Sequence, residues 1–207
     1  MGRRKQRTES LRTDMCSAAM QLLDRGGVSA VTTRAVAAGS ASSMAAVNEL
    51  FGGKAGLVQA MYAEGFRHLA EELAQVEDAA DPAKGVLELA LAFRSFASRK
   101  RHVYEVMFSR PFAEFSPDPD DRRAAAAIYR IVLERVTTLL GTSRAKGSGK
   151  DAAICLFAVV QGLVSLEFAG LLGSSSESIE RRWRTAVTAT MNGVAARAPT
   201  PVASGDA

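Results

Sequence analysis

The strongest constraint on what this chain can fold into lies between Gly27 and Leu57, which read GVSAVTTRAVAAGSASSMAAVNELFGGKAGL. Thr32 or Thr33 can cap a helix whose apolar residues are Val36 and Ala37, because a hydroxyl there satisfies a backbone N–H that has no partner within the helix. The run of small and polar residues from Gly39 to Ser43 breaks that helix. Ser43 is then placed to cap a second helix from Met44 to Leu50. Phe51 closes it with an apolar anchor, and Gly52-Gly53 ends it before Lys54 opens another. Two short helices joined by a small-residue turn make a helix-turn-helix pattern, whose second helix can enter the major groove of DNA. The same pattern fits a helical hairpin with no DNA role.

Charge bears on the choice. Residues 1–60 hold eight Lys or Arg (Arg3, Arg4, Lys5, Arg7, Arg12, Arg25, Arg34, Lys54) against four acids (Glu9, Asp14, Asp24, Glu49), whereas the remainder holds eighteen of each sign. The formal net charge of +4 therefore belongs wholly to the segment that carries the helix pair. That is the footprint of a phosphate-binding module beside a neutral one. Four of these charges precede residue 8, where a solvated basic terminus would also put them.

The first 60 or so residues resemble the DNA-binding domain of the tetracycline-repressor (TetR) family of bacterial regulators. In that family a first helix with paired apolar residues ends at Gly, followed by a Val-Thr-x-x-x-Ile-Ala segment, a turn, and a Tyr-x-x-Phe-x-x-Lys-x-x-Leu close. This chain has Met15, Ala18, Ala19, Leu22 and Leu23, then Gly27, then Val31-Thr32-Thr33-Arg34-Ala35-Val36-Ala37, and finally Phe51, Lys54 and Leu57. From Thr33 to Phe51 the spacing matches without a gap. The departures are Ala41 in place of the turn Gly, Ser42 in place of an apolar residue, Asn48 in place of the Tyr, and Leu50 in place of a His or Tyr.

Those departures fall on the surface that the resemblance turns toward DNA. Asn48 can replace the Tyr as a phosphate contact, or read an adenine edge through its amide. Met44 and Ala45 offer apolar contact to thymine methyls, and Glu49 would repel phosphate unless it meets a cytosine amino group or points away. Carried over residue by residue, the resemblance implies DNA contacts from Thr33, Ser43, Asn48 and Lys54, with Arg34, Met44, Ala45 and the basic arm beside them.

Length and composition bound the rest. A 207-residue chain with 47% apolar content can build a small domain plus a larger one. The basic N-terminus leads straight into a polar helix with no apolar stretch, so no signal peptide is expected. The longest apolar run, Ala152 to Leu166, contains Gln161 and Ser165 and is followed by Glu167, which reads as short of a membrane span. Cys16 and Cys155 sit within apolar helical patterns and read as reduced core residues of a cytoplasmic protein.

Beyond residue 54 the periodicity is helical throughout, and the expected fold is all-α with about nine helices. Leu57, Met61, Tyr62, Phe66, Leu69 and Leu73 predict one helix running to about Val76. Pro82 suits the first turn of the next, and a short helix over Val103 to Ser109 ends at Arg110-Pro111. Phe112 to Asp121 reads as a loop. Helices at about 120–140, 150–172 and 177–197 follow, separated by the Gly/Ser-rich stretches 141–149 and 173–176. The expected domains are 1–55, a three-helix helix-turn-helix unit, and 56–198, a larger helical unit for ligand binding and dimerisation. Residues 199–207, rich in Pro, Ala and Ser, read as a disordered tail.

The segment Lys100 to Phe115 packs four aromatic residues and Met107 into sixteen positions, in a chain that is only 6% aromatic. Its placement resembles family members whose sixth helix lines an effector cavity, which implies a small apolar or aromatic ligand held by Phe96, Tyr104, Met107, Phe108, Phe112 and Phe157, with Tyr129 and Gln161 as polar contacts. Plain core packing explains the same cluster. The helices at about 150–172 and 177–197 carry apolar excess, and the resemblance pairs them with their copies in a homodimer.

Catalysis finds no support. His68 and His102 are far apart, no HExxH, CxxC, GxSxG or GxxxxGKS string occurs, and Glu64, Glu71 and Glu72 lie on a solvated helix face. No metal, cofactor or membrane is expected. The sequence is thus expected to encode a cytoplasmic homodimeric repressor that binds a palindromic operator and is released by a small molecule. Its alternative is a helical ligand-binding or interaction protein that has lost specific DNA readout.

Overall fold

The structure, a computed structural model, describes residues 2–109 and 119–197. Phe112, Phe115 and the tail 199–207 lie outside the described residues, as do the side chains of Arg3, Arg4 and Lys5. Among the described residues there are nine helices and no strand: α1 Gly2–Ala30, α2 Thr33–Gly39, α3 Met44–Phe51, α4 Lys54–Ala74, α5 Pro82–Arg99, α6 Arg101–Phe108, α7 Pro119–Leu140, α8 Thr142–Phe168 and α9 Ser176–Arg197. The all-α architecture expected from periodicity is the one observed. The chain divides into two compact units, Met1–Leu69 with Phe96–Ala126, and Ala70–Ser95 with Ala127–Ala207.

In the first unit, α1, with Met15, Ala18, Ala19 and Leu23 buried, packs against α2, where Val36 and Ala37 are buried. Gly27 interrupts α1 with φ 66° and ψ −165°, a conformation an L side chain resists. A Cβ on Gly27 would lie 3.5 Å from the His102 ring, so the kink is also where α6 seats on α1. The Lys100 Nζ sits 2.6 Å from the Asp24 carboxylate at the same junction. Tyr62, Phe66, Tyr104 and Phe108 interlock with ring centroids 4.7 to 5.3 Å apart, in the tilted and edge-on contacts that aromatic quadrupoles favour.

The second unit is built on α8 and α9. Leu89, Phe93, Ile128, Val136, Leu156, Val160, Leu163, Trp183 and Val187 are buried in it. A largely buried polar knot ties three of its helices. Arg94 donates from two nitrogens to the Glu167 carboxylate at 2.8 and 2.9 Å, and the Trp183 indole N–H donates to the same carboxylate at 2.7 Å. Arg94 also lies over the Trp183 ring, 5.7 Å from its centroid. A second cation, Arg135, ion-pairs with Asp78 and donates to the Val76 carbonyl at 2.6 Å.

Four expectations need correction here. The helix expected from about residue 150 starts at Thr142, because only Gly141 takes a helix-breaking φ of 74°. The glycines beyond it cost about 1 kcal/mol each, which propagation of a packed helix tolerates. The same helix ends at Phe168 rather than 172, where Gly170 turns to φ 71° and the Leu171 N–H bonds back to the Leu166 carbonyl. Cys155 is exposed rather than in the core, while Cys16 is half-buried. Finally, Ser148–Phe168 is long and apolar enough to cross a membrane by length and composition, but only a third of it is buried within the chain. Gln161 and Ser165 do not interrupt the stretch enough to exclude it, and Glu167 at its end is engaged by Arg94 and Trp183.

Candidate nucleic-acid interface and effector region

Local chemistry builds the helix pair. The Thr32 hydroxyl accepts from the Ala35 N–H at 3.1 Å, which decides between the two candidate threonine caps. Ser40 and Ala41 form the turn, with the Ser42 N–H bonded to the Ala37 carbonyl at 2.8 Å. Ala41 holds φ 49°, the one positive φ outside glycine among the described residues. This is the position where the resemblance implies glycine, and a Cβ in the left-handed region carries about 1 kcal/mol of strain. Ser43 then caps α3 by accepting from the Ala46 N–H at 3.1 Å. Gly52, at φ 69°, ends α3 with its N–H on the Asn48 carbonyl at 2.9 Å.

This geometry sorts α3 into two faces. Val47 and Phe51 are buried, whereas Ser43, Met44, Ala45, Asn48 and Glu49 are exposed. Met44 is 49% exposed, unusual for so large an apolar side chain. Arg34 and Lys54 are exposed on the flanking helices, and Thr33 is half-buried. The expected DNA-facing residues thus share one accessible face of α3 and the starts of α2 and α4.

Two glycines fix this arrangement. A Cβ on Gly56 would fall 1.8 Å from the Phe51 carbonyl oxygen, so the end of α3 lies directly on the first turn of α4. A Cβ on Gly39 would come within 3.3 Å of the Ala18 side chain, which brings α2 close to α1. Gly56 stands in no turn motif, so periodicity offered no signal for it, whereas Gly39 is expected from sequence only as the start of the run that breaks α2.

The expected effector residues are distributed between the two units. Phe96, Tyr104 and Met107 are buried and Phe108 is half-buried in the first. Burial holds the Tyr104 phenol above its ordinary range. Tyr129, Phe157 and Gln161 are half-buried in the second. There Phe157 lines an apolar cavity of about 30 Å³ together with Leu73, Val86, Leu89, Ala90, Phe93, Val132, Leu156, Val160 and Val187. That is room for one or two water molecules. Phe157 meets Phe93 edge-on at 6.0 Å. Of the expected effector residues that the structure describes, Phe157 alone lines this cavity.

From Ala152 onward the exposed side of α8 carries no charged residue before Glu167. Ile154 and Leu166 are 56% and 43% exposed, Leu171 just beyond the helix is 73% exposed, and Cys155, Ala158 and Gly162 are open beside them. A groove lined by Ser148, Asp151, Ala152, Cys155, Thr190, Gly193 and Val194 runs between α8 and α9. Elsewhere, Arg67 hydrogen-bonds Glu64 and holds its carboxyl below the usual value. Among the described residues no three His, Cys, Asp or Glu cluster as a metal site.

The chain matches two family descriptions: "Bacterial regulatory proteins, tetR family" over residues 16–61, and "Tetracyclin repressor-like, C-terminal domain" over residues 86–190. No match is found among curated proteins. Among solved structures it resembles a protein of unknown function from Rhodococcus sp. RHA1, with 22% identity, TM-score 0.72, and coverage of 89% of this chain and 95% of that one. A TetR family transcription regulator from Marinobacter aquaeolei VT8 shares 18% identity at TM-score 0.61, covering 89% and 97% of the two chains. NalD, the secondary repressor of the MexAB-OprM multidrug efflux pump in Pseudomonas aeruginosa, shares 20% identity at TM-score 0.55, covering 91% and 97%. At these identities the likenesses speak to the fold.

Proposed function

This chain belongs to the TetR family of bacterial regulatory proteins, and from that premise we propose that it is a homodimeric transcriptional repressor of the cytoplasm, reading a palindromic operator with α3. The observation that carries this reading is the exposed face of α3, where Ser43, Met44, Ala45 and Asn48 stand clear of a helix whose other face is buried. Thr33, Arg34 and Lys54 flank that face. NalD, which shares the fold, is described as a repressor, and this supports repression over activation. Residues 1–55 form the DNA-binding part in this reading, and 56–198 the part for ligand and dimer.

Dimerisation follows from α8. Ile154 and Leu166 are 56% and 43% exposed among the described residues, and pairing α8 and α9 with their copies would bury them, as in a four-helix interface.

The proposed effector is small and apolar or aromatic. Phe157 and its 30 Å³ cavity give it a starting point, but a ligand of ordinary size needs some 300 Å³ or more, so binding has to open the interior. A ligand that requires such opening binds the two states of the dimer unequally, which is the condition for releasing DNA. Phe96, Tyr104, Met107, Phe108 and Phe112, with Tyr129 and Gln161, remain its proposed contacts. Phe157→Ala and Phe108→Ala should each blunt ligand response while DNA affinity holds.

Footprinting on the DNA upstream of the protein's own reading frame tests the main proposal. Protection of two half-sites related by a two-fold axis is expected. A log affinity against log salt slope of about −5 to −7 should accompany it, from three or four phosphate contacts per subunit. Lys54→Ala should weaken all sequences alike and reduce that slope, whereas Asn48→Ala should relax one base position if its amide reads an adenine. A monomer that protects no site, with only weak salt-sensitive retention, overturns the reading.

A further inference from the structure

Arg12 projects from α1, outside every motif that the helix-turn-helix reading uses. Its Nη1 donates to the Leu50 carbonyl at 2.5 Å, and its guanidinium carbon lies 4.6 Å from the centroid of the Phe51 ring. Both contacts are at the C-terminal end of α3. That end needs a partner, because the last carbonyls of a helix have no N–H within it, and a cation there also meets the negative end of the helix dipole. A planar guanidinium can hydrogen-bond a carbonyl and face a ring at once, which an ammonium does less well.

The rest of the geometry gives this contact its consequence. With only eight residues, α3 has little stability of its own. Its N-terminal end is set by the Ser43 cap and the turn from α2, and α2 is close-packed on α1 through Gly39 and Ala18. The backbones of α3 and α1 are in much sparser contact than those of α2 and α1. Arg12 spans that gap at the far end of α3.

We infer that Arg12 is a positioning residue for DNA recognition: from α1 it fixes the C-terminal end of α3, and so the angle at which the exposed face meets bases, without itself touching DNA. The inference rests on the proposed DNA-binding function. Its rival is that Arg12, an exposed cation in the basic segment, is one more phosphate contact. The two differ in what they do to salt dependence, because only a residue that neutralises phosphate releases counterions.

The test uses full-length protein and a duplex that the wild type selects from a random 30-base-pair pool, alongside a scrambled duplex of the same composition. With R12A, affinity for the selected duplex should fall about tenfold, in line with losing one hydrogen bond made by a charged group. Affinity for the scrambled duplex and the salt slope should stay as in the wild type, and R12K should recover only part of the loss. A salt slope reduced by about one unit per subunit, with both duplexes weakened alike and R12K fully active, overturns the inference in favour of phosphate contact. Unchanged affinity in R12A also overturns it. If R12A loses helical signal, the R12K arm decides by the same two readouts. A wild type that enriches no sequence overturns the DNA-binding reading first, and the role of Arg12 with it.

Discussion

Two helices of this chain leave apolar side chains in solvent, in different chemical company. On α3, Met44 is 49% exposed beside Ser43, Ala45 and Asn48, with Arg34 and Lys54 on adjoining helices. On α8, Ile154 and Leu166 are exposed to a similar degree, but from Ala152 to Leu166 there is no charged residue at all. An exposed apolar side chain marks a contact, and the charge around it indicates the partner. Cations beside hydroxyl and amide groups suit a phosphate-bearing duplex, whose base edges present both hydrogen-bonding atoms and methyl groups. A long uncharged stripe of aliphatic and small residues suits another stripe like it.

The largest effect that would break this contrast is on α8. Leu166→Glu places a carboxylate in each copy of an apolar contact, and should weaken self-association on the order of a thousandfold. Light scattering behind size exclusion reads this directly, and a variant that stays dimeric removes α8 from the interface. Met44→Glu is the counterpart. It should leave the mass unchanged and abolish operator binding through repulsion from phosphate.

The support behind α8 comes next. Arg94→Ala leaves the Glu167 carboxylate with the Trp183 N–H alone, and both side chains of the pair are at most a fifth exposed. Urea unfolding should report a loss of about 3 kcal/mol. A loss below about 1 kcal/mol would place the pair with ordinary surface ion pairs instead.

Thiol chemistry sharpens the comparison at a smaller scale. Burial pushes the Cys16 thiol from 9.0 to about 11, whereas Cys155 is exposed. At pH 8 Cys16 should alkylate at least about tenfold more slowly than Cys155 does in the monomeric Leu166→Glu protein. In the wild type, Cys155 should be protected as well if α8 forms the proposed interface. Equal labelling of Cys155 in both proteins would argue that α8 stays open. The raised value also carries a sign for stability. The unfolded chain releases the Cys16 proton near pH 9 and the folded chain holds it to about 11, so this contribution is complete below pH 9 and declines as pH rises through that window.

The smallest expected effect is behind α3. Ala41→Gly removes the left-handed strain at φ 49° but adds backbone entropy to the unfolded chain. The two terms nearly offset, leaving a gain of roughly 0.5 kcal/mol by thermal unfolding. A loss of more than about 1 kcal/mol would mean that the Ala41 methyl makes a contact worth more than its strain.

The sequence by itself determined whatever depends on residues three or four apart. Ser43 caps the helix that follows it and one of Thr32 and Thr33 caps α2, Gly27 interrupts α1 and Gly52 ends α3, and the all-α pattern repeats on the same short period. Such signals act within one turn of chain, so their spacing is visible in the order of residues. The tertiary structure decided everything that joins distant segments. Arg12 reaches Leu50 across 38 positions and Arg94 reaches Glu167 across 73. Gly56 is chosen by a carbonyl that packing brings to it, and Phe157 lines a cavity while Tyr104 and Phe108 fill a core. Those outcomes depend on which faces meet when helices pack, and a helical pattern records that a face is apolar without recording what covers it.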